Sequence, residues 1–402
     1  MPSMFRLIVL LACLAPAHAA FAQPTFVQIA REFTGGLWLL DPNFRPAIAN
    51  DGMVAFAGGH AANQFSATRI FVGDGGTLKS ANFGGAGLSA LGQLSINDQD
   101  RIAFAATRTA RSSTYRGVYR LVFKGTMTSF TTLYEGLNVM NPAPGALRPV
   151  RYDAAMSPNG TVAFSSIMNG AGAVYRSPFA GPYGELRTGT GGFYNTGYLD
   201  VNDAGQVVVQ MEYSDPTAGL TRGFLIFETP GQTLQVTDTA LERLGIGAQP
   251  VPIINNSGTV AFVCNGTMTM RFFTPPGVYN TTNYEDVVIG PGVWTVTPGP
   301  WSLPKYPTLI AGPANGYSNF GRVDINDSGE IAFEAKANGE TGVFTGPDPV
   351  ADKVLASGDV RGTQLYSVVR LGSLNNAGEL AIWTSDLNSK DRQVWRVEGA
   401  YE

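Results

Sequence analysis

Cysteine and histidine are almost missing from this chain. There are two of each in 402 residues, and beyond residue 22 only Cys264 and His60 remain. One cysteine cannot make an intramolecular disulfide, so the fold has to stand on its packing alone. A single histidine with no second His or nearby Cys is short of the partners that a zinc site or a nucleophile–His pair needs. Charge is scarce as well. Only 14% of residues are charged and no basic cluster occurs, which argues against nucleic acid or an anionic membrane surface as partner. No apolar run approaches the roughly 20 residues of a transmembrane helix. No stretch keeps a 3.6-residue apolar period for three turns, which removes helical architectures.

Glycine and proline are plentiful, at 49 and 25 residues, and favour many short strands and turns. The first 22 residues carry Arg6, an apolar run over 7–14 and small residues around Ala20-Phe21-Ala22. That pattern predicts a secretory signal peptide cleaved before Gln23, and hence an exported protein, periplasmic or extracellular. Cys13 follows Leu-Leu-Ala, but a lipoprotein cleavage there would leave too short an apolar core. The remaining residues, 23–402, read as a single domain and a monomer, with 26 basic against 31 acidic residues.

What fills that domain is a repeat: a short β-like run, a polar turn, and a second run ending in Val-Ala-Phe or Ile-Ala-Phe. The clearest copies are INDSGEIAF at 325–333 and INNSGTVAF at 254–262. Aligned on the turn residue, the copies fall at Gly52, Asp100, Gly160, Gly205, Gly258, Gly329 and Gly378. The preceding Asn is Asn97, Asn202, Asn255, Asn326 and Asn375, with Ala49 and Ser157 in the first and third copies. A Gly or Asp at that place fits a tight hairpin with one residue at positive φ. Each turn is followed by a β-branched–aromatic pair: Ile70-Phe71, Val118-Tyr119, Val174-Tyr175, Ile226-Phe227, Val293-Trp294, Val343-Phe344 and Val394-Trp395. These mark a third strand. A fourth apolar run follows only six times, at Leu78, Leu133, Leu186, Leu234, Leu309 and Leu355.

The seventh copy therefore lacks a fourth strand, while 25–30 supplies an unattached one ahead of the first turn. Together they predict an all-β, seven-bladed β-propeller of four-stranded blades, closed by the N-terminal strand completing the last blade. A β-solenoid would use shorter coils, and two tandem sandwiches would show a composition break.

The pattern Asn-x-x-Gly-x-x-Ala-Phe at 255–262 and 326–333 resembles the bacterial exported NxxGxxAF tandem-repeat (choice-of-anchor) proteins, over about 25–397. The resemblance implies export and often a surface-anchoring tail, but no activity. No terminal apolar span or basic tail follows the last repeat.

Chemistry is harder to find. His60 reads as a solvated loop residue and Cys264 as a small buried one. The run Asp324-Ile325-Asn326-Asp327-Ser328-Gly329 opens like an oxygen-rich calcium loop. Other copies replace its first position with Ser95, Ile253 or Ser373, so turn-stabilising Asn/Asp side chains explain it without metal. No cofactor is expected, a structural calcium ion being the one left open. The clearest break in the repeat is an insertion at 265–291, where 32 residues separate Phe262 from Trp294. Its Phe272, Phe273, Tyr279, Tyr284, Glu285 and Asp286 are the candidate ligand-binding residues, since aromatics with carboxylates suit sugars or peptides. The leading expectation is a non-catalytic protein that binds a carbohydrate or extracellular protein through loops on one face. The alternatives are a polysaccharide hydrolase or lyase using acidic or Tyr residues in a central channel, and a structural surface or matrix component.

Overall fold

A computed structural model describes residues 24–401 apart from 33–36, 40–44, 61–68, 83–87, 111–112, 125–126, 138–149, 169–170, 179–183, 189–192, 216–218, 230–231, 239–250, 274–283, 298–305 and 387–390. Residues 1–22 and Tyr279 thus lie outside the described residues. The fold is all-β, a β-propeller. Among the described residues the one helical segment is a single 3-10 turn at Pro313–Asn315. None of them forms a helix long and apolar enough to cross a membrane.

Among the described residues the strands fall into seven antiparallel sheets. The second is the simplest, running Leu88–Ile96, Arg101–Ala110, Ser113–Lys124 and Met127–Leu137 in hydrogen-bonded order. Three sheets have four strands; the others have five or six. Uniform four-stranded sheets are therefore not what is seen. The extra strands arise where an innermost strand is split, as at Tyr317–Ser318 and Val323–Ile325, or where a flanking segment adds an edge, as at Val360–Arg361.

Every repeat turn takes the predicted backbone. Gly52, Gly160, Gly205, Gly258, Gly329 and Gly378 have φ between 76° and 93°, and Asp100 adopts 54°. Aspartate tolerates the left-handed region better than most side chains, which explains how the second copy dispenses with glycine. The aromatic anchors lie on the third strands, opposite the motif aromatic: Phe56↔Phe71, Phe104↔Tyr119, Phe164↔Tyr175, Phe262↔Trp294 and Phe333↔Phe344. The fourth sheet departs from this. Val209 stands opposite Leu225, while Phe227 pairs with Val207, so the register anchor there is Phe224-Leu225 rather than Ile226-Phe227. That strand carries aromatics on both sides of Leu225, and composition alone does not choose between them.

Among the described residues seven apolar clusters each join two adjacent sheets. Phe104 packs with Ala55 and Ala57 of the sheet before it, whereas its neighbours Ala103 and Ala105 pack with Phe164 of the sheet after it. The rule repeats at Ala163 and Phe164, Ala261 and Phe262, and Ala332 and Phe333. Successive strand residues face opposite ways, so Ala-Phe presents a small surface forward and a large one backward. Large meets small at each interface, which is how facing layers reach close packing.

The last cluster joins the end of the chain to its beginning: Ala381, Trp383 and Val394 pack with Ile48, Val54 and Phe56. Strand Thr25–Arg31 pairs antiparallel with Arg392–Glu398, from Thr25↔Glu398 to Arg31↔Gln393. Arg31 grips Asp391 with two bonds of 2.9 and 2.6 Å. Phe26 lies edge-on to Trp395 at 6.2 Å and carries the Arg361 guanidinium on its face.

Candidate functional site

The innermost strands of all seven sheets converge on a central cavity of about 170 Å³. Its walls come from the segment ending in each repeat turn, so the repeat asparagines surround it. Each does two things. The Oδ1 of Asn255 accepts the Thr259 N–H at 2.9 Å, which closes its own hairpin. Its Nδ2 donates 2.9 Å to the Asn326 carbonyl of the next repeat. Asn202 donates likewise to the Asn255 carbonyl at 3.0 Å, Asn326 to Asn375 at 3.1 Å, and Asn375 to Ala49 at 2.9 Å, across the joint between chain end and chain start. Asn97 reaches the Pro158 carbonyl at 3.1 Å.

The two copies without this asparagine use an asparagine one or two residues further on. Asn50 donates through its backbone N–H and Nδ2 to Asp98, at 2.7 and 3.1 Å. Asn159 bonds Asp203 through the same two groups, at 2.7 and 2.8 Å. Every one of the seven interfaces is therefore crossed by at least one bond at the hub. The position after the asparagine adds an outer circle, in which Asp203, Asn256, Asp327, Asn376 and Asn50 bond one another in turn.

Two carboxyls sit deeper. Asp200 Oδ2 accepts the Ile254 N–H at 2.9 Å, and Asp324 Oδ2 accepts the Leu374 N–H at 2.9 Å, again between repeats. Burial pushes the Asp200 carboxyl up to about 7; the Asp324 charge adds to the rise, while the Ile254 N–H and Arg322 oppose it. Burial raises Asp324 too, against the pull of Arg322. Asp200 is half-buried and Asp324 buried. A further buried acid, Glu334, is 2% exposed and holds Arg45 at 2.6 Å and the Leu371 N–H at 2.7 Å, which ties the sixth repeat to the seventh and the first. Asp200 and Asp324 line the cavity, and the charge of Asp324 acts on Asp200. They also stand at sheet interfaces with their oxygens already accepting bonds.

The insertion is placed elsewhere. Met268–Phe273 and Tyr284–Ile289 form a hairpin that leaves the fifth sheet and joins the outer edge of the fourth, through Thr237↔Arg271 and Asp238↔Met270. Within it Phe273 stands opposite Tyr284, and Phe272 opposite Glu285, with Asp286 opposite Arg271. Five of the six candidate residues are thus brought into one hairpin at the rim, far in sheet order from the cavity. His60 ends the strand Val54–His60, paired with Leu37, rather than sitting in a loop. The alternation of Val54-Ala55-Phe56-Ala57 continues through two glycines to reach it. Cys264 is buried, 3% exposed, with its thiol on the Gly266 carbonyl at 3.1 Å. In the calcium-like run, Asp324 bonds Ile325 and Leu374, Asn326 bonds Glu330 and Asn375, and Asp327 bonds Asn256 and Asn376. Its side chains point to different neighbours instead of one centre.

No family model matches the chain, and no curated protein matches it. Among solved structures it is similar to an oligogalacturonate lyase from Vibrio parahaemolyticus, at 8% identity and TM-score 0.47, covering 94% of this chain and 98% of that one. It is similar to the polysaccharide lyase Uly1 at 10% identity and TM-score 0.46, covering 86% and 88%. A prolyl endopeptidase matches at 11% identity and TM-score 0.46 over 92% of this chain, which spans only 50% of the endopeptidase. At these values no role passes from those proteins to this one.

Proposed function

We propose that this chain is an exported, non-catalytic, seven-bladed propeller of the NxxGxxAF type, monomeric, that binds a carbohydrate or extracellular protein through one face and rim. The observation that carries it is the use made of the hub. Half-buried Asp200 and buried Asp324 and Glu334, the acids that a reaction would need, each accept a backbone N–H from a neighbouring repeat. Joining repeats accounts for the place of these carboxyls without a reaction. Recognition then falls to the parts that break the repeat. The hairpin carrying Phe272, Phe273, Tyr284, Glu285 and Asp286 is the largest of them, and its aromatic–carboxylate content suits sugar rings.

The test screens an array of immobilised polysaccharides with the full chain and with a variant whose residues 270–286 are replaced by a Gly-Ser link. The reading predicts retention of at least one glycan by the first and at least tenfold weaker retention by the second. Equal retention by both removes the hairpin from the site. A second reading, a polysaccharide hydrolase or lyase, draws on one fact: Asp200 is pushed up to about 7 beside Asp324, where an acid–base group would be tuned. Release of reducing ends or unsaturated sugars, abolished in D200N, would establish it in place of the first.

A further inference from the structure

Several bonds across the hub end on carboxyls, and two of those carboxyls, Asp200 and Asp324, lie inward of the exposed Asp98 and Asp327. Asp200 links the fourth repeat to Ile254 of the fifth, and Asp324 links the sixth to Leu374 of the seventh. In the seventh repeat the same position is Ser373, whose hydroxyl accepts the Ile48 N–H of the first at 2.8 Å. A neutral oxygen is therefore sufficient for this bond. The negative charge at Asp200 and Asp324 adds a desolvation cost without being required for the joint.

Charge balance in the cavity decides what that cost does. Among the described residues, Arg322, from the sixth repeat, is the cation whose charge acts on both carboxyls. Arg45 also lines the cavity, but Glu334 holds it at 2.6 Å. Asp98 and Asp327 lie at the exposed rim, bonded to Asn50, Asn256 and Asn376, and bring more negative charge rather than less. Tyr198 lines the wall from the strand of Asp200, and Tyr401 faces Asp324, both neutral over the physiological range. Two carboxyls thus face one guanidinium. Like charges in a shared low-dielectric site do not both ionise readily, and the proton retained belongs to the pair.

We propose that Asp200 and Asp324 form a proton-linked joint at the hub: while the pair retains a proton the ring is tight, and its loss between mildly acid and mildly alkaline medium loosens the fourth–fifth and sixth–seventh interfaces. The sign follows from linkage. Both carboxyls are raised above their ordinary values, so between about pH 4 and 7 the folded chain binds more protons than the unfolded one. This part of the stability is complete in acid and lost as pH rises through about 7. The inference does not depend on what the protein binds.

Thermal melting at pH 5 and pH 8, at one ionic strength, tests it on the wild type and on D200N, whose amide keeps an acceptor for the Ile254 N–H. The wild type is expected to lose about 3 °C between the two values from this joint, and D200N at most half as much. Carbon-13 titration of the wild-type aspartate carboxyls supplies an arm that needs no variant, with one carboxyl expected to titrate above pH 6. Equal wild-type melting at both pH values, an undiminished loss in D200N, or titration of all aspartates below pH 5 would each overturn the proposal. Should D200N not fold, the titration decides alone.

Discussion

Asparagine is the residue that makes this repeat, because its amide carries an acceptor and a donor on one short stem. Aspartate would close the hairpin as well through its oxygen, and serine does so in the third copy, where Ser157 accepts the Thr161 N–H at 3.2 Å. Neither can reproduce a fixed amide donor aimed at the next repeat's carbonyl. Asn255→Asp should keep the local turn, lose the bond to Asn326, and set a charge against a buried carbonyl. The expected cost is about 2–3 kcal/mol, seen as a Tm lower by about 3 °C at neutral pH. A melting point within 1 °C of wild type would show the bond to be idle. The turn half of this role was legible, since Gly, or Asp100, at positive φ has a local signature. The donor half was not, because its partner lies 49 to 71 residues away in four copies and 326 in the fifth. The clue was the choice of Asn in five copies where Asp would serve the turn equally well. Ala49 and Ser157 looked like decay of the motif, yet Asn50 and Asn159 span those interfaces in their place.

At the scale of the strand, Ala-Phe works as a tongue and groove. Phe164 fills space against Ala103 and Ala105, and Ala163 leaves room for Leu199 and Val201 on its other side. Opposite substitutions should therefore fail for opposite reasons. Phe164→Ala opens a cavity and should cost about 3–5 kcal/mol, while Ala163→Leu overfills the neighbouring interface and should cost about 1–3 kcal/mol. Urea unfolding followed by tryptophan fluorescence measures both; an Ala163→Leu variant as stable as wild type would contradict the packing rule. Strand existence was readable from composition, and third strands from their aromatic anchors. The fourth sheet slipped by two residues because Phe224 and Phe227 are equally plausible anchors until the register to Val209 is known. The course of the 265–291 insertion was not readable at all. Its hairpin crosses to the edge of another sheet through two residue pairs, and edge pairing between distant segments has no periodic signal.

For the whole molecule, closure matters more than any one sheet. An open array of these sheets would expose the edge of Arg392–Glu398 and the apolar faces around Trp383 and Ile48. Thr25–Arg31 covers the first, and the cluster joining the seventh sheet to the first covers the second. The Arg31–Asp391 pair adds little by comparison, because Arg31 is half exposed; Asp391→Ala should change stability by about 1 kcal/mol or less. Deleting residues 25–31 should instead produce an aggregating protein, detectable by light scattering.

The most direct test of a ring closed by its own N-terminal strand is a crosslink across that joint. Thr25 and Glu398 stand directly opposite in an antiparallel pair, at a separation that a disulfide spans without strain. Cys264 is buried and offers no competing thiol. In a T25C/E398C variant, mild oxidation should give a quantitatively crosslinked monomer on a non-reducing gel, with a Tm above that of its reduced form. Free thiols in the folded, oxidised protein, or disulfide-linked dimers alone, would contradict closure.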